Sequence, residues 1–219
     1  MERQFNGQQR NDNKVSDILY IVMPAYNEEE NIENVIKAWY PIVEEYNGDG
    51  KSRLVLVNDG SKDNTYRVAL GMVKNYPLLE IVEKENSGHG ATVFFAYRYA
   101  LDHGADYIFQ TDSDGQTNPN EFQAFWEQRK EYDMVIGHRY KREDGILRKF
   151  VTLTLKQTLK LAFGVNVTDA NTPFRLMNRA SLQECMKYVP EDFNLSNVAL
   201  TVSYVKNDFK VKFEPITFR

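Results

Sequence analysis

The sequence holds one cysteine, three histidines and no apolar run long enough to span a bilayer, and each shortage removes a class of protein. A lone Cys185 rules out an internal disulfide framework and suits a reducing compartment, so the expected location is cytoplasmic. His103 and His138 have no partners at metal-ligand spacing, which argues against a zinc site. No signal peptide is read at the start, and the chain is expected to be soluble or at most peripheral to a membrane. Excess positive charge is missing too. The 27 Lys and Arg against 31 Asp and Glu leave a net charge of −4, which excludes a general nucleic-acid binder and confines any phosphate site to a local patch. What remains is a globular composition, 42% apolar and 13% aromatic over 219 residues, enough for one domain with a substantial core.

Residues 1–17 are mostly polar and read as a flexible N-terminal arm, followed by a single domain over 18–219. An apolar run at 18–23, ended by Pro24, predicts a strand. Ile32, Val35, Ile36 and Trp39 fall at helical spacing within a helix over 28–46. Further strands are expected at 54–57, 79–82, 107–111 and 133–137, and helices at 64–76, 88–103 and 119–131. This alternation predicts an α/β fold whose mostly parallel central sheet has helices on both faces. The second half is less regular: a strand-like stretch at 172–178, a helix over 194–206 and a last strand over 210–218. The ending after that strand reads as an abrupt boundary.

Three polar clusters sit where strands end: Pro24-Ala25-Tyr26-Asn27-Glu28, Asn58-Asp59-Gly60-Ser61 and Asp112-Ser113-Asp114-Gly115-Gln116. In open parallel sheets, ligands bind beyond the carboxyl ends of strands. Two aspartates one residue apart at such an end offer hard oxygens to a divalent cation, which can in turn clamp a diphosphate. Each cluster alone also reads as a helix cap or a turn; Asn27, ahead of Glu28-Glu29-Glu30, would cap a helix well. Three together at the ends of one sheet's strands are harder to ascribe to chance.

The ordered set MPAYNEEENI, VNDGSKDNT, ENSGHGAT, TDSDGQ and DANTPFRLMNR resembles family-2 glycosyltransferases of the GT-A nucleotide-diphospho-sugar transferase fold, over roughly residues 18–218. The likeness is to the dolichyl-phosphate mannosyltransferase and polyprenyl-phosphate glycosyltransferase branch. The resemblance implies that Pro24, Ala25, Tyr26, Glu28 and Asp59 line a nucleoside pocket, and that Asp112, Asp114 and Gln116 hold Mg²⁺ or Mn²⁺. It places Gly88 in a loop that lets backbone approach a phosphate or sugar; His89 stands there where the family usually has lysine, as a neutral donor or a helix-start residue. Arg139, in Gly137-His138-Arg139-Tyr140, is the candidate contact to a diphosphate or an acceptor phosphate, with Arg142 and Arg148 lesser candidates. Arg175, in Phe174-Arg175-Leu176, would likewise face the phosphates, and Asp169 would orient the donor sugar or only fix a loop.

The implied activity is an inverting, metal-dependent transfer from a UDP- or GDP-linked sugar to a lipid phosphate or a glycan hydroxyl. A hydroxyl acceptor needs a base, for which Asp192 is the candidate, with a surface-loop role as its alternative; a lipid phosphate is already an anion and needs none. The Q-x-x-R-W motif of processive synthases does not occur, which argues against processive synthesis. Val151, Leu155, Leu159 and Ala162 form an apolar stripe beside Arg148, Lys149, Lys156 and Lys160, readable as a core-facing helix or as a peripheral membrane contact. Two other classes stay open: a nucleotide-sugar-binding module without turnover, favoured by His89, and a sugar-phosphate nucleotidyltransferase, disfavoured by the acidic 23–30 segment. Sugar, nucleotide, acceptor and oligomeric state are not specified by the sequence.

Overall fold

The computed structural model describes residues 17–139, 169–191 and 193–217. The expectations for residues 1–16, Tyr140, Arg142, Arg148, the 147–163 stripe and Asp192 lie outside the described residues. Seven strands form one sheet in the order β3-β2-β1-β4-β6-β5-β7. They are β1 (Leu19–Ala25), β2 (Arg53–Asp59), β3 (Leu79–Lys84), β4 (Tyr107–Gln110), β5 (Met134–Arg139), β6 (Arg175–Asn178) and β7 (Val211–Ile216). All neighbouring pairs run parallel except those of β6, which lies antiparallel to both β4 and β5. The mostly parallel sheet is therefore as expected.

Burial on both faces explains the unbroken apolar runs. Leu19, Ile21 and Met23 of β1 join one core with α1 (Ile32–Glu45), α2 (Thr65–Met72) and α4 (Phe122–Glu127). Tyr20 and Val22 point the other way, to α3 (His89–Asp102), α5 (Arg179–Met186) and α6 (Ser196–Lys206). On the first face Phe109 is the aromatic hub, with ring centroids 4.7 Å from Phe174, 4.9 Å from Phe122 and 5.4 Å from Trp39.

Several expected boundaries move, each for a local reason. Pro24 does not end β1; it pairs in register with Val57. The β4 ladder has stopped at Val22 opposite Gln110, so the missing proline N–H costs no sheet bond, and the Pro24 carbonyl accepts from Ser113 Oγ instead. Helix α1 begins at Ile32 rather than at 28, because the segment before it is tied to the start of α2: Glu28 N–H donates to Thr65 Oγ1 at 2.7 Å and Glu29 N–H to Asp63 Oδ2 at 3.1 Å. Asn27 caps no helix. At φ 55° its side chain accepts from Lys62 N–H, which stitches the loop after β1 to the loop after β2. Asp17, read as part of the loose arm, is pinned by Arg129 and Lys130, both at 2.9 Å.

Candidate functional site

Strands β1 to β4 are parallel, so their carboxyl ends share one edge. The chain steps from β1 outward to β2 and β3, then returns to add β4 on the other side of β1. That reversal opens a crevice between the loops after β1 and β4, the position where such sheets take ligands. A cleft of about 360 Å³ lies there. Its walls carry Pro24, Ala25, Tyr26 and Glu28 from the end of β1, Asp59 from β2, Gly88 from the start of α3, and Asp112 and Asp114 from beyond β4. With His89, nine residues given a role or a reading from the sequence thus meet in one cavity.

Asp59 organises the wall nearest α3. It is 3% exposed and accepts from Lys84 Nζ at 2.5 Å, from Ser87 N–H at 3.0 Å and from Gly88 N–H at 3.0 Å. Its backbone carbonyl also takes Asn86 Nδ2 at 2.8 Å. Gly88 makes this approach at φ +87°, and Gly60 turns away from the strand at φ +63° with Asn86 N only 2.9 Å from where a side chain would begin. Burial works to raise the Asp59 carboxyl, but the bonds from Lys84, Ser87 and Thr92 outweigh it and hold it below its ordinary range. Lys84 lies outside the sequence motifs, while Asn86, Thr92 and Ser113 lie within them without an expected role. Lys84 was findable, since it ends a strand two residues ahead of the Asn86-Ser87-Gly88 loop.

Asp112 forms the floor. Its Oδ1 is shut off from solvent without a hydrogen-bond partner, while Asp114 Oδ1 accepts the Gln116 N–H at 3.0 Å. Burial and the Asp114 charge push the Asp112 carboxyl up to about 7, against the pull of Arg139 and Arg175. An orphaned buried carboxylate oxygen beside a second carboxylate is the donor set of a hard divalent cation. Among the described residues no group of three or more acidic, cysteine or histidine side chains gathers, so such an ion would complete its shell from ligand oxygens and water. Gln116 is exposed and meets Asp114 through its backbone.

The remaining expected residues divide. His89 is the first residue of α3 and lines the cleft; desolvation pushes its imidazole down, opposed by Asp59. Arg139 is not on the cleft wall and forms an ion pair with Asp169 at 3.4 Å, both side chains being largely buried. Arg175 does not face the cleft. It is 0% exposed, and its Nε and two terminal nitrogens all donate to protein oxygens. The cause is register: Arg175 sits opposite Gln110 within the sheet, beneath α6.

A family model described as "Glycosyl transferase family 2" matches residues 20–186. The chain is 28% identical over 188 residues to the UDP-N-acetylglucosamine–dolichyl-phosphate N-acetylglucosaminyltransferase of Methanococcus voltae, covering 76% of this chain and 71% of that one. It is 28% identical over 174 residues to the undecaprenyl-phosphate 4-deoxy-4-formamido-L-arabinose transferase of Proteus mirabilis, covering 76% of this chain but only 49% of the relative. Among solved structures, glucosyl-3-phosphoglycerate synthase from Mycobacterium tuberculosis, in complex with Mn²⁺, UDP and phosphoglyceric acid, superposes with a TM-score of 0.70. That match has 17% identity and covers 92% of this chain and 69% of the synthase. The switch-point cleft, the sheet order and the family match agree: this chain is a GT-A-fold member of glycosyltransferase family 2.

Proposed function

We propose that the protein transfers a sugar from a nucleotide-diphosphate sugar to a lipid phosphate of the polyprenyl type, with inversion at the anomeric carbon and with a divalent cation. The observation that carries this is Asp112, whose buried and unpartnered oxygen lies beside Asp114 at the switch-point cleft. Asp112, Asp114 and Gln116 would hold Mg²⁺ or Mn²⁺, which supplies charge neutralisation for the departing diphosphate. The relatives named above act on dolichyl and undecaprenyl phosphates, and the solved neighbour holds UDP with Mn²⁺, which favours a UDP-linked donor over a GDP-linked one.

Each wall then has a task. Tyr26, 42% exposed at the cleft mouth, offers a ring face to a nucleobase. Asp59, on the cleft wall and held in place by Lys84, Ser87 and Gly88, would accept from a nucleoside N–H or hydroxyl. Arg139 lies off the nucleotide wall, at the end of β5 and paired with Asp169, and is the cation assigned to the acceptor phosphate. An acceptor oxygen, already anionic, forms the bond to the anomeric carbon as the bond to the β-phosphate oxygen breaks. The electron pair leaves with the nucleotide, and no base is required.

The test is turnover of UDP-glucose, UDP-N-acetylglucosamine and GDP-mannose on undecaprenyl phosphate in detergent, with Mn²⁺, with Mg²⁺ and with chelator. Asp114→Ala is expected to lower the rate by about two orders of magnitude, the scale on which loss of transition-state charge stabilisation acts. An unchanged rate in that variant, or in chelator, would remove the cation from the mechanism.

A further inference from the structure

Arg175 carries five N–H donors, and the structure spends all five inside the protein. Nε donates to the Thr172 carbonyl at 3.1 Å. One terminal nitrogen donates to the Asn197 carbonyl at 3.1 Å and to Thr201 Oγ1 at 3.3 Å. The other donates to the carbonyls of Ala170 at 3.2 Å and Thr172 at 2.7 Å. No donor is left for a diphosphate. Among these five contacts there is no carboxylate, so a fully buried cation is held by carbonyl and hydroxyl oxygens alone, at a desolvation cost that an apolar residue would avoid.

What the five bonds tie together explains the residue. They fasten the 170–172 turn to the first turns of α6, and Thr201 Oγ1 reinforces the join with its own bond to the Ala170 carbonyl at 3.0 Å. Asp169 stands at the head of that turn and pairs with Arg139 at the end of β5. The other end of the turn is fixed as well, because the Phe174 carbonyl accepts from Gly137 N–H at 2.7 Å.

We propose that Arg175 is a positioning residue for the acceptor side of the cleft: it fixes the 170–172 turn, the turn fixes Asp169, and Asp169 aims Arg139. This rests on the reading above that Arg139 meets the acceptor phosphate. It departs from a phosphate contact by Arg175 itself, and the two assign the residue to different substrates.

Arg175→Lys keeps the charge but reaches fewer oxygens, while Asp169→Asn leaves the five bonds in place and weakens only the ion pair. Both are expected to raise KM for undecaprenyl phosphate and lower kcat by about tenfold or more, as misaligned reacting groups do, with KM for the sugar nucleotide within about twofold of the parent. Mn²⁺-dependent UDP affinity, by calorimetry, should be unchanged in both variants. A tenfold loss of UDP affinity in Arg175→Lys would overturn the proposal in favour of a diphosphate contact. Unaltered acceptor kinetics in both variants, with only a lower Tm, would overturn it in favour of a purely structural role. Should Arg175→Lys not fold, Asp169→Asn and Thr201→Val decide the matter by the same readouts. If the parent transfers no sugar to any lipid phosphate, the proposed function fails on that result. The Arg139 Nε–H resonance then tests the positioning: it should move alike in Arg175→Lys and Asp169→Asn, and a resonance left in place in Arg175→Lys refutes the proposal.

Discussion

Lys84 and Asp59 lie 2.5 Å apart with side-chain exposures of 15% and 5%, and the same aspartate faces the cleft. Asp59→Asn would strip Lys84 of its counter-ion in a desolvated corner, at a cost of about 3 kcal/mol in urea unfolding. The pH dependence follows from the sign of the shift. The folded carboxyl lies below its ordinary 3.8, so the stabilisation is complete above that value and is lost as pH falls through the folded one. The gap between parent and variant should therefore stay constant between roughly pH 5 and 8 and narrow below about pH 4. A gap that widened on acidification would contradict the pairing. Single residues were legible in the sequence where their role is to end a strand, as with Asp59, Asp112 and Asp114. The burial of Arg175 was not legible, because a motif gives residue type and order but not the face of the strand on which the side chain emerges.

Glycine separates two kinds of helix position. Gly71, inside α2, has nothing within 4 Å of a would-be Cβ, whereas at Gly90, in the first turn of α3, that atom would meet the Phe193 carbonyl oxygen at 2.4 Å. Gly71→Ala is expected to stabilise the chain by about 1 kcal/mol through helix propensity alone. Gly90→Ala should cost about 1–3 kcal/mol, since backbone at 193–194 must give way. Urea midpoints at equal m-value check both, and equal shifts of one sign would refute the contrast. The existence and order of these elements were readable from periodicity, because two-sided burial writes continuous apolar runs into strands. Their ends were not, because they are set by tertiary contacts: the Asp63 and Thr65 side chains that hold Glu28 and Glu29 ahead of α1, or the halted ladder that lets Pro24 stay in β1. The antiparallel insertion of β6 between β4 and β5 was equally hidden, since strand direction leaves no mark on a run of four residues.

At the scale of the molecule, one ligand would bridge the whole first half of the fold. The cleft draws on the ends of β1 and β2, the loop beyond β3, the start of α3 and the turn after β4, so these loops gain a common partner when it fills. Binding to the folded state alone stabilises by about 2.7 kcal/mol at a hundredfold excess over Kd. For a chain of this length that is a rise in Tm of roughly 5–10 °C. Coupling between two ligands is reciprocal, so Mn²⁺ should tighten UDP by the factor by which UDP tightens Mn²⁺. UDP with Mn²⁺ is thus expected to raise Tm by more than the sum of their separate effects. In Asp112→Asn the excess should vanish while the small effect of UDP alone survives, because Tyr26 and Asp59 are untouched. Additive shifts in the parent would mean that cation and nucleotide do not meet at Asp112, and the role given to that carboxylate would have to be abandoned.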